Sequence, residues 1–242
     1  MGIINFLAKF FHKYLYYPKW KCICCGKEIF DNQLFCAQCK DKLPFIVGSI
    51  CNHCGRKTLQ SETYCSTCKN IIISVDKCRS VFEYKEPIVK LILQSKYYGQ
   101  KYLLKIFAKY LAEAYWKNYF NADFLCYVPM NKSAQKERGY NQSEILCREL
   151  SKIINVPTID CLERKKKVKR QAQLDRKARL NNLKDVFSVK SRKSVKDKVI
   201  LCIDDVTTTG ATSQAIAEKL KQANAQKVYF LTIASVAPRD GY

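Results

Sequence analysis

Residues 199–212 read Val-Ile-Leu-Cys-Ile-Asp-Asp-Val-Thr-Thr-Thr-Gly-Ala-Thr. An apolar run of strand character, Val199–Ile203, leads into two carboxylates, Asp204 and Asp205. Val206 follows, then a short loop of Thr207, Thr208, Thr209 and Gly210 that opens a helix at Ala211 and Thr212. A strand that hands over to a helix through such a loop belongs at the carboxyl edge of a parallel sheet, where α/β folds bind ligands. Backbone N–H groups at a helix start can cradle a phosphate, and threonine hydroxyls add donors. Gly210 permits close backbone approach. The two carboxylates suit sugar hydroxyls, with Mg2+ to offset the charge of a pyrophosphate. No Gly-x4-Gly-Lys-Ser/Thr occurs, so the loop is not a Walker A loop. A capped helix after a strand is the plainer alternative.

The flanking sequence supplies the rest of an α/β domain. Strand character recurs at Ser80–Tyr84, Phe124–Val128 and Val228–Ala234, and helical periodicity at Pro87–Tyr98, Lys101–Tyr119, Gln142–Ile154 and Ser213–Asn224. Strands alternating with helices predict an α/β fold with a mainly parallel sheet over residues 80–242.

Upstream, residues 20–70 form a separate cysteine-rich module. Cys22 and Cys25 are followed by Cys36 and Cys39, and Cys51 and Cys54 by Cys65 and Cys68. Each block is C-x2-C, ten residues, C-x2-C. Two cysteines three apart wrap one metal in a tight knuckle, and a second knuckle completes the tetrahedral four-sulfur set of structural Zn2+. Serial pairing within each block is expected, with interleaved pairing open. Such closed sites leave no position for chemistry. Cys24 is the spare of the first block, and Cys126 and Cys202 fall in strand-like runs.

The formal net charge is +22 in 242 residues, and residues 161–198 hold fifteen Lys and Arg against four Asp and Glu. A field of this sign favours polyanions such as nucleic acid or an anionic membrane surface. The run Arg164, Lys165, Lys166, Lys167, Lys169 and Arg170 is the candidate track for such a polyanion, and Tyr97, Tyr98 and Tyr140 offer aromatic faces on which bases could stack. No segment has the length of a membrane-spanning helix. Residues 1–19 form an apolar segment broken by Lys9, His12 and Lys13, without a cleavage site. A cytoplasmic protein is expected, with a peripheral place at the inner face of the membrane as the alternative.

Residues 199–212 resemble the PRPP-binding signature of type I phosphoribosyltransferases, and the chain resembles one branch of them, the ComF family of competence proteins. Val128-Pro129 with Arg138-Gly139-Tyr140-Asn141-Gln142 is similar to that family's first sheet loop, and Tyr84 through Lys96-Tyr97-Tyr98-Gly99 to its opening helix and turn. Gln171, Leu174, Arg179, Asn182 and Phe187 fall at the family's spacing, while Val168 stands where Thr is common. The cysteine blocks are similar to its double zinc ribbon. The resemblance implies a pocket for PRPP or ribose 5-phosphate at Asp204–Thr212, Mg2+ with PRPP, and Arg138 with Gly139 meeting the pyrophosphate. It implies handling of incoming single-stranded DNA in natural transformation, beside a DNA-translocation helicase or a membrane channel. An active phosphoribosyltransferase of purine or pyrimidine salvage is the second reading. No catalytic residue or accepted base is identified.

Overall fold

The computed structural model describes residues 21–29, 34–58, 63–69, 73–165 and 186–236. The N-terminal segment 1–19, Lys166, Lys167, Lys169, Arg170 and the family-spaced Gln171, Leu174, Arg179 and Asn182 lie outside the described residues. The chain divides into two compact units, Met1–Leu43 and Pro44–Tyr242.

The smaller unit carries the first cysteine block. The Cys22 N–H bonds to the Lys27 carbonyl at 2.8 Å and the Gly26 N–H returns to the Cys22 carbonyl at 2.8 Å, closing a knuckle whose Gly26 is left-handed (φ 75°). A short helix, α1 (Ala37–Asp41), presents Cys39 inward.

The larger unit opens with the second block. Its knuckle repeats the pattern, with the Gly55 N–H on the Cys51 carbonyl at 3.0 Å, and a one-turn helix α2 (Ser66–Lys69) follows. Then come β1 (Lys77–Glu83), α3 (Ile88–Tyr97), α4 (Tyr102–Lys117) and β2 (Phe124–Tyr127). They are followed by α5 (Lys132–Arg138), α6 (Gln142–Ile154), β3 (Leu162–Arg164) and β4 (Phe187–Val189). The unit closes with β5 (Val199–Thr207), α7 (Ala211–Gln222) and β6 (Lys227–Ser235).

Strands β1, β6, β5 and β2 lie in that order, and all three pairings are parallel. The apolar strand sequences explain this arrangement, because a parallel sheet must be covered on both faces. Ile200, Cys202, Val228 and Phe230 face one layer, where they pack with Ala215, Ile216 and Leu220 of α7. The strand period turns Leu201, Ile203, Leu231 and Ile233 to the other face, and all four are buried there too. Helices α4 and α6 pack on each other, α4 also on β1 and β6, and α6 also on β2 and β5.

Two features depart from the sequence expectations. Strand β5 runs to Thr207, four residues past Ile203, so Asp204 and Asp205 lie within the strand. The reason is its partner: β6 continues alongside, pairing Asp204 with Thr232 and Thr207 with Ser235. Helix α5 and the antiparallel β3–β4 pair carried no periodic signal. Helix α5 buries no residue and starts on Asn131, whose side chain accepts the Ser133 N–H at 3.1 Å. The β3–β4 pair has three residues a side and is interrupted in sequence by the basic segment.

Phe230 is 1% exposed and touches the layer beneath α7. Phe230→Ala is expected to destabilise the larger unit by about 3–5 kcal/mol, read as a lowered urea midpoint at unchanged slope.

Candidate functional site

The carboxyl edge of the sheet gathers three segments: the end of α3, the α5–α6 joint, and the end of β5 with the loop that follows. The alternation of β5 sends its two carboxylates apart. Asp204 accepts the Ser143 hydroxyl at 2.8 Å and the Asp205 N–H at 2.9 Å, both on Oδ1. Asp205 forms an ion pair with Lys96 at 2.8 Å, both side chains largely buried. Burial, then the neighbouring Asp205 charge, push the Asp204 carboxyl up to about 7, against the opposing hydrogen bond from Ser143.

Local sequence explains the positions. Asn141 precedes α6 and caps it, accepting the Ser143 N–H at 3.0 Å, while its amide donates to the Val128 carbonyl at 3.0 Å. That fixes the first turn of α6, and so Ser143, against the exit of β2. Thr207 is buried, and its hydroxyl lies 3.4 Å from Thr232 Oγ1, which is 2.7 Å from the Ser80 hydroxyl. The row of three hydroxyls crosses the sheet under the loop. Gly210 is left-handed (φ 77°) and begins α7. The Thr209 hydroxyl oxygen accepts the Ala211 N–H at 3.3 Å, and the Ser213 hydroxyl donates to the Gly210 carbonyl at 2.8 Å.

An open depression of about 290 Å3, counting the space open to solvent, is lined by Asp204, Val206, Thr207, Thr208, Gly210, Ala211, Thr212, Ser213 and Phe230. Asp205, Thr209, Arg138 and Gly139 are not in its lining. Asp205 is turned to Lys96. Gly139 ends α5 in the left-handed region (φ 76°). Arg138 lies 4.7 Å over the Tyr97 ring, donates to the Tyr97 hydroxyl at 2.9 Å and to Gln142 Oε1 at 3.2 Å. The buried Gln142 amide nitrogen has no hydrogen-bond partner among the described residues. Sequence reasoning missed the partner roles of Ser143 and Lys96, since a hydroxyl or amine one residue beyond or inside a motif gives no signal until the sheet brings it to the carboxylates.

The aromatics divide. Tyr140 gives its hydroxyl to the Ser95 carbonyl and lies under Lys101 at 4.4 Å, so it is packed. Tyr97 and Tyr98 are 58% and 74% exposed. Of the basic run, Arg164 stacks 5.5 Å over the Phe187 ring, and Lys165 lines a recess with Arg192 and Lys219. The last two fell outside the run picked from sequence, because they reach it only through the β3–β4 pair and the end of α7.

The eight cysteines form two clusters in serial pairing. Within Cys22, Cys25, Cys36 and Cys39, and within Cys51, Cys54, Cys65 and Cys68, the sulfurs lie within 4.8 Å of one another. Zn–S bonds of about 2.3 Å place tetrahedral sulfurs about 3.8 Å apart. Cys25 and Cys36 stand at 3.8 Å, and Cys54 and Cys65 at 3.7 Å. The residues therefore fit Zn2+. Without a cation the second set is internally opposed. Hydrogen bonds with Cys54 and Cys68 hold the Cys51 thiol far below its usual range, while those with Cys51 and Cys54 push Cys68 far above it. A divalent ion lets all four ionise together.

Residues 13–69 match the family model described as a double zinc ribbon domain. Competence protein F of Haemophilus influenzae is 30% identical over 162 residues, covering 64% of this chain and 71% of that protein. The chain belongs to the ComF family of competence proteins. A second member, competence protein ComFC of Bacillus subtilis, is 28% identical over 203 residues, 80% of this chain and 82% of its own. The DNA utilization protein YhgH of Escherichia coli strain K12 is 31% identical over 107 residues, 44% of this chain and 46% of its own. Among solved structures, adenine phosphoribosyltransferase of Leishmania tarentolae matches with a TM-score of 0.38 at 13% identity, over 59% of this chain and 74% of that one. This ComF chain combines a mainly parallel sheet with an N-terminal zinc-ribbon module.

Purified without chelator, the protein is expected to hold two zinc ions per chain by elemental analysis. Cys22→Ser should remove one and leave the urea midpoint of the larger unit unchanged, since all four ligands of that site belong to the smaller unit. A preparation that is folded throughout and free of zinc would contradict both sites.

Proposed function

We propose that this ComF chain handles incoming single-stranded DNA during natural transformation, and that its Asp204–Thr212 segment binds PRPP or ribose 5-phosphate. The carrying observation is the depression itself: a helix start, a left-handed glycine and threonine side chains line it beside a half-buried carboxylate. The first turn of a helix leaves its N–H groups without intrahelical acceptors, which suits the 5-phosphate. Asp204 and Asp205 take the ribose hydroxyls, and Mg2+ accompanies PRPP. Arg138 and Gly139 stand at the α5–α6 joint for the pyrophosphate, which requires Arg138 to leave the Tyr97 ring. The names of the relatives support the competence role.

DNA binding is assigned to Arg164, Lys165, Lys166, Lys167, Lys169 and Arg170, with Tyr97 and Tyr98 as exposed stacking surfaces. A DNA-translocation helicase or channel of the uptake machinery is the protein partner, met on the cytoplasmic side of the membrane. Turnover of PRPP with a free base would instead support the salvage reading, in which the same pocket holds the donor.

Two measurements test this reading. Asp204 is neutral below about pH 7 and charged above it. Measured against Asp204→Asn, which shares the ligand's own phosphate ionisation near pH 6, wild-type protein should therefore lose affinity for metal-free ribose 5-phosphate between pH 6 and pH 8, by about tenfold for one unit charge within roughly 10 Å at an effective dielectric near 20. Calorimetry on Asp204→Asn should show that fall flattened, and an unaltered pH profile in the variant would place the pocket elsewhere. For DNA, the logarithmic salt slope for single strands is about −0.7 per phosphate neutralised. Replacing Lys165, Lys166, Lys167 and Lys169 by Gln should lower both affinity and slope, and should abolish transformation without slowing growth. Unchanged affinity and slope would make the segment a solvated loop.

A further inference from the structure

The second ribbon and the 207–212 loop meet at Gly210. A Cβ built on Gly210 would lie 3.7 Å from Ser213 Oγ and 4.0 Å from the Cβ of Cys54. Any side chain on Gly210 would thus touch a zinc-ligating residue, so Cys54 bounds the space beside the one left-handed residue in the loop. The knuckle is seated just as closely on the sheet. Gly55 is left-handed (φ 71°), and a Cβ there would come within 3.0 Å of Arg79 Cα and 3.1 Å of the Cys78 carbonyl oxygen. The Cys78 N–H donates to the Asn52 carbonyl at 3.0 Å, and the Arg79 guanidinium to Asn52 Oδ1 at 2.8 Å.

The exit of the ribbon is pinned to the same helix that the loop opens. The Ser74 N–H donates to Gln214 Oε1 at 3.0 Å, and Gln214 Nε2 donates to the Ser74 hydroxyl at 3.3 Å. Gln214 in turn gives its backbone N–H to the Gly210 carbonyl at 3.0 Å. Ile73 packs both on the four buried sulfurs and on the core beneath α7.

We propose that the Cys51, Cys54, Cys65 and Cys68 site is the mount of the ribose-phosphate loop: metal held there keeps Gly210 and the first turn of α7 in the anion-binding arrangement. The proposal rests on the reading of Asp204–Thr212 as that pocket. Cys54 is a positioning residue, acting through Gly210 without touching ligand. Glycine loses more conformational freedom on ordering than any other residue, so a loop that turns on Gly210 needs a rigid neighbour to hold it. Cys54 is rigid when the metal ties its knuckle to the one carrying Cys65 and Cys68. Coupling between two sites is reciprocal. Ligand in the loop must therefore tighten metal at this site.

The test uses the wild-type chain loaded with two zinc ions and challenged with a chromogenic chelator. Release is expected in two phases. Saturating ribose 5-phosphate should slow one of them and leave the other unchanged, and in equilibrium competition with the same chelator it should raise the zinc affinity of that site about tenfold, within the usual range of site-to-site coupling. Cys22→Ser protein should retain only the protected phase. Conversely, Cys54→Ser should weaken ribose 5-phosphate about tenfold by calorimetry, while Cys22→Ser leaves that affinity intact. A merely structural ribbon would not give ligand-protected zinc. If ribose 5-phosphate binds but neither phase slows, the mount is overturned and the pocket stands. If it does not bind at all, the pocket falls and the mount with it.

Discussion

Two adjacent carboxylates at the edge of a buried sheet set the terms for everything around them. Side by side in low dielectric they cannot both ionise without compensation. The pairing of β5 with β6 resolves this by carrying strand geometry through Asp204 and Asp205. Strand alternation then turns one to the α6 side, where a hydroxyl and a backbone N–H meet it, and gives the other the Lys96 ammonium. The two carboxylates end in different states. Asp205 is paired with a cation, and Asp204 is held near neutrality's boundary, able to gain or lose charge at physiological pH. In such a pair the uncompensated charge appears on only one member.

The sheet was legible from the sequence because its strands are short apolar runs with helical periods between them, and burial on both faces leaves a parallel sheet little room for polar residues. The candidate depression was legible in part as a line of residues, because strand, loop and helix start follow one another without a gap; of Asp204 to Thr212, Asp205 and Thr209 lie outside its lining. What could not be read is whatever the fold brings in from elsewhere. Ser143, Lys96 and Thr232 reach the carboxylates or the loop from three different elements, and none belongs to a local pattern. Helix α5 was invisible for the opposite reason: it buries nothing, so it has no apolar face to betray it. Strand β5 was read short because Asp is depleted in strands, and here a tertiary ladder outweighed that propensity.

The cysteine blocks illustrate how equal spacing can have unequal consequences. Both knuckles fold the same way, each on a left-handed glycine after the second cysteine. Gly26 has open space around it, whereas Gly55 lies flush against Arg79 and Cys78. The sequence signature of the two is identical, C-x2-C-G, and only the packing separates a glycine needed for its turn from one needed also for close approach. The second block has been drawn into the larger unit, where its sulfurs share Ile73 with the core under α7.

Charge completes the argument. Residues 199–242 hold as many acidic as basic residues, while the fifteen cations of 161–198 leave that segment at +11. The depression at the end of β5 therefore offers oriented dipoles, hydroxyls and one adjustable carboxylate, all short in range and specific in direction. The basic segment offers a field that falls off over about 10 Å at 0.1 M salt and carries no sequence information. The described ends of that segment are part of the core all the same: Leu162, Phe187 and Val195 are buried with Ile200 and Phe230 of the sheet.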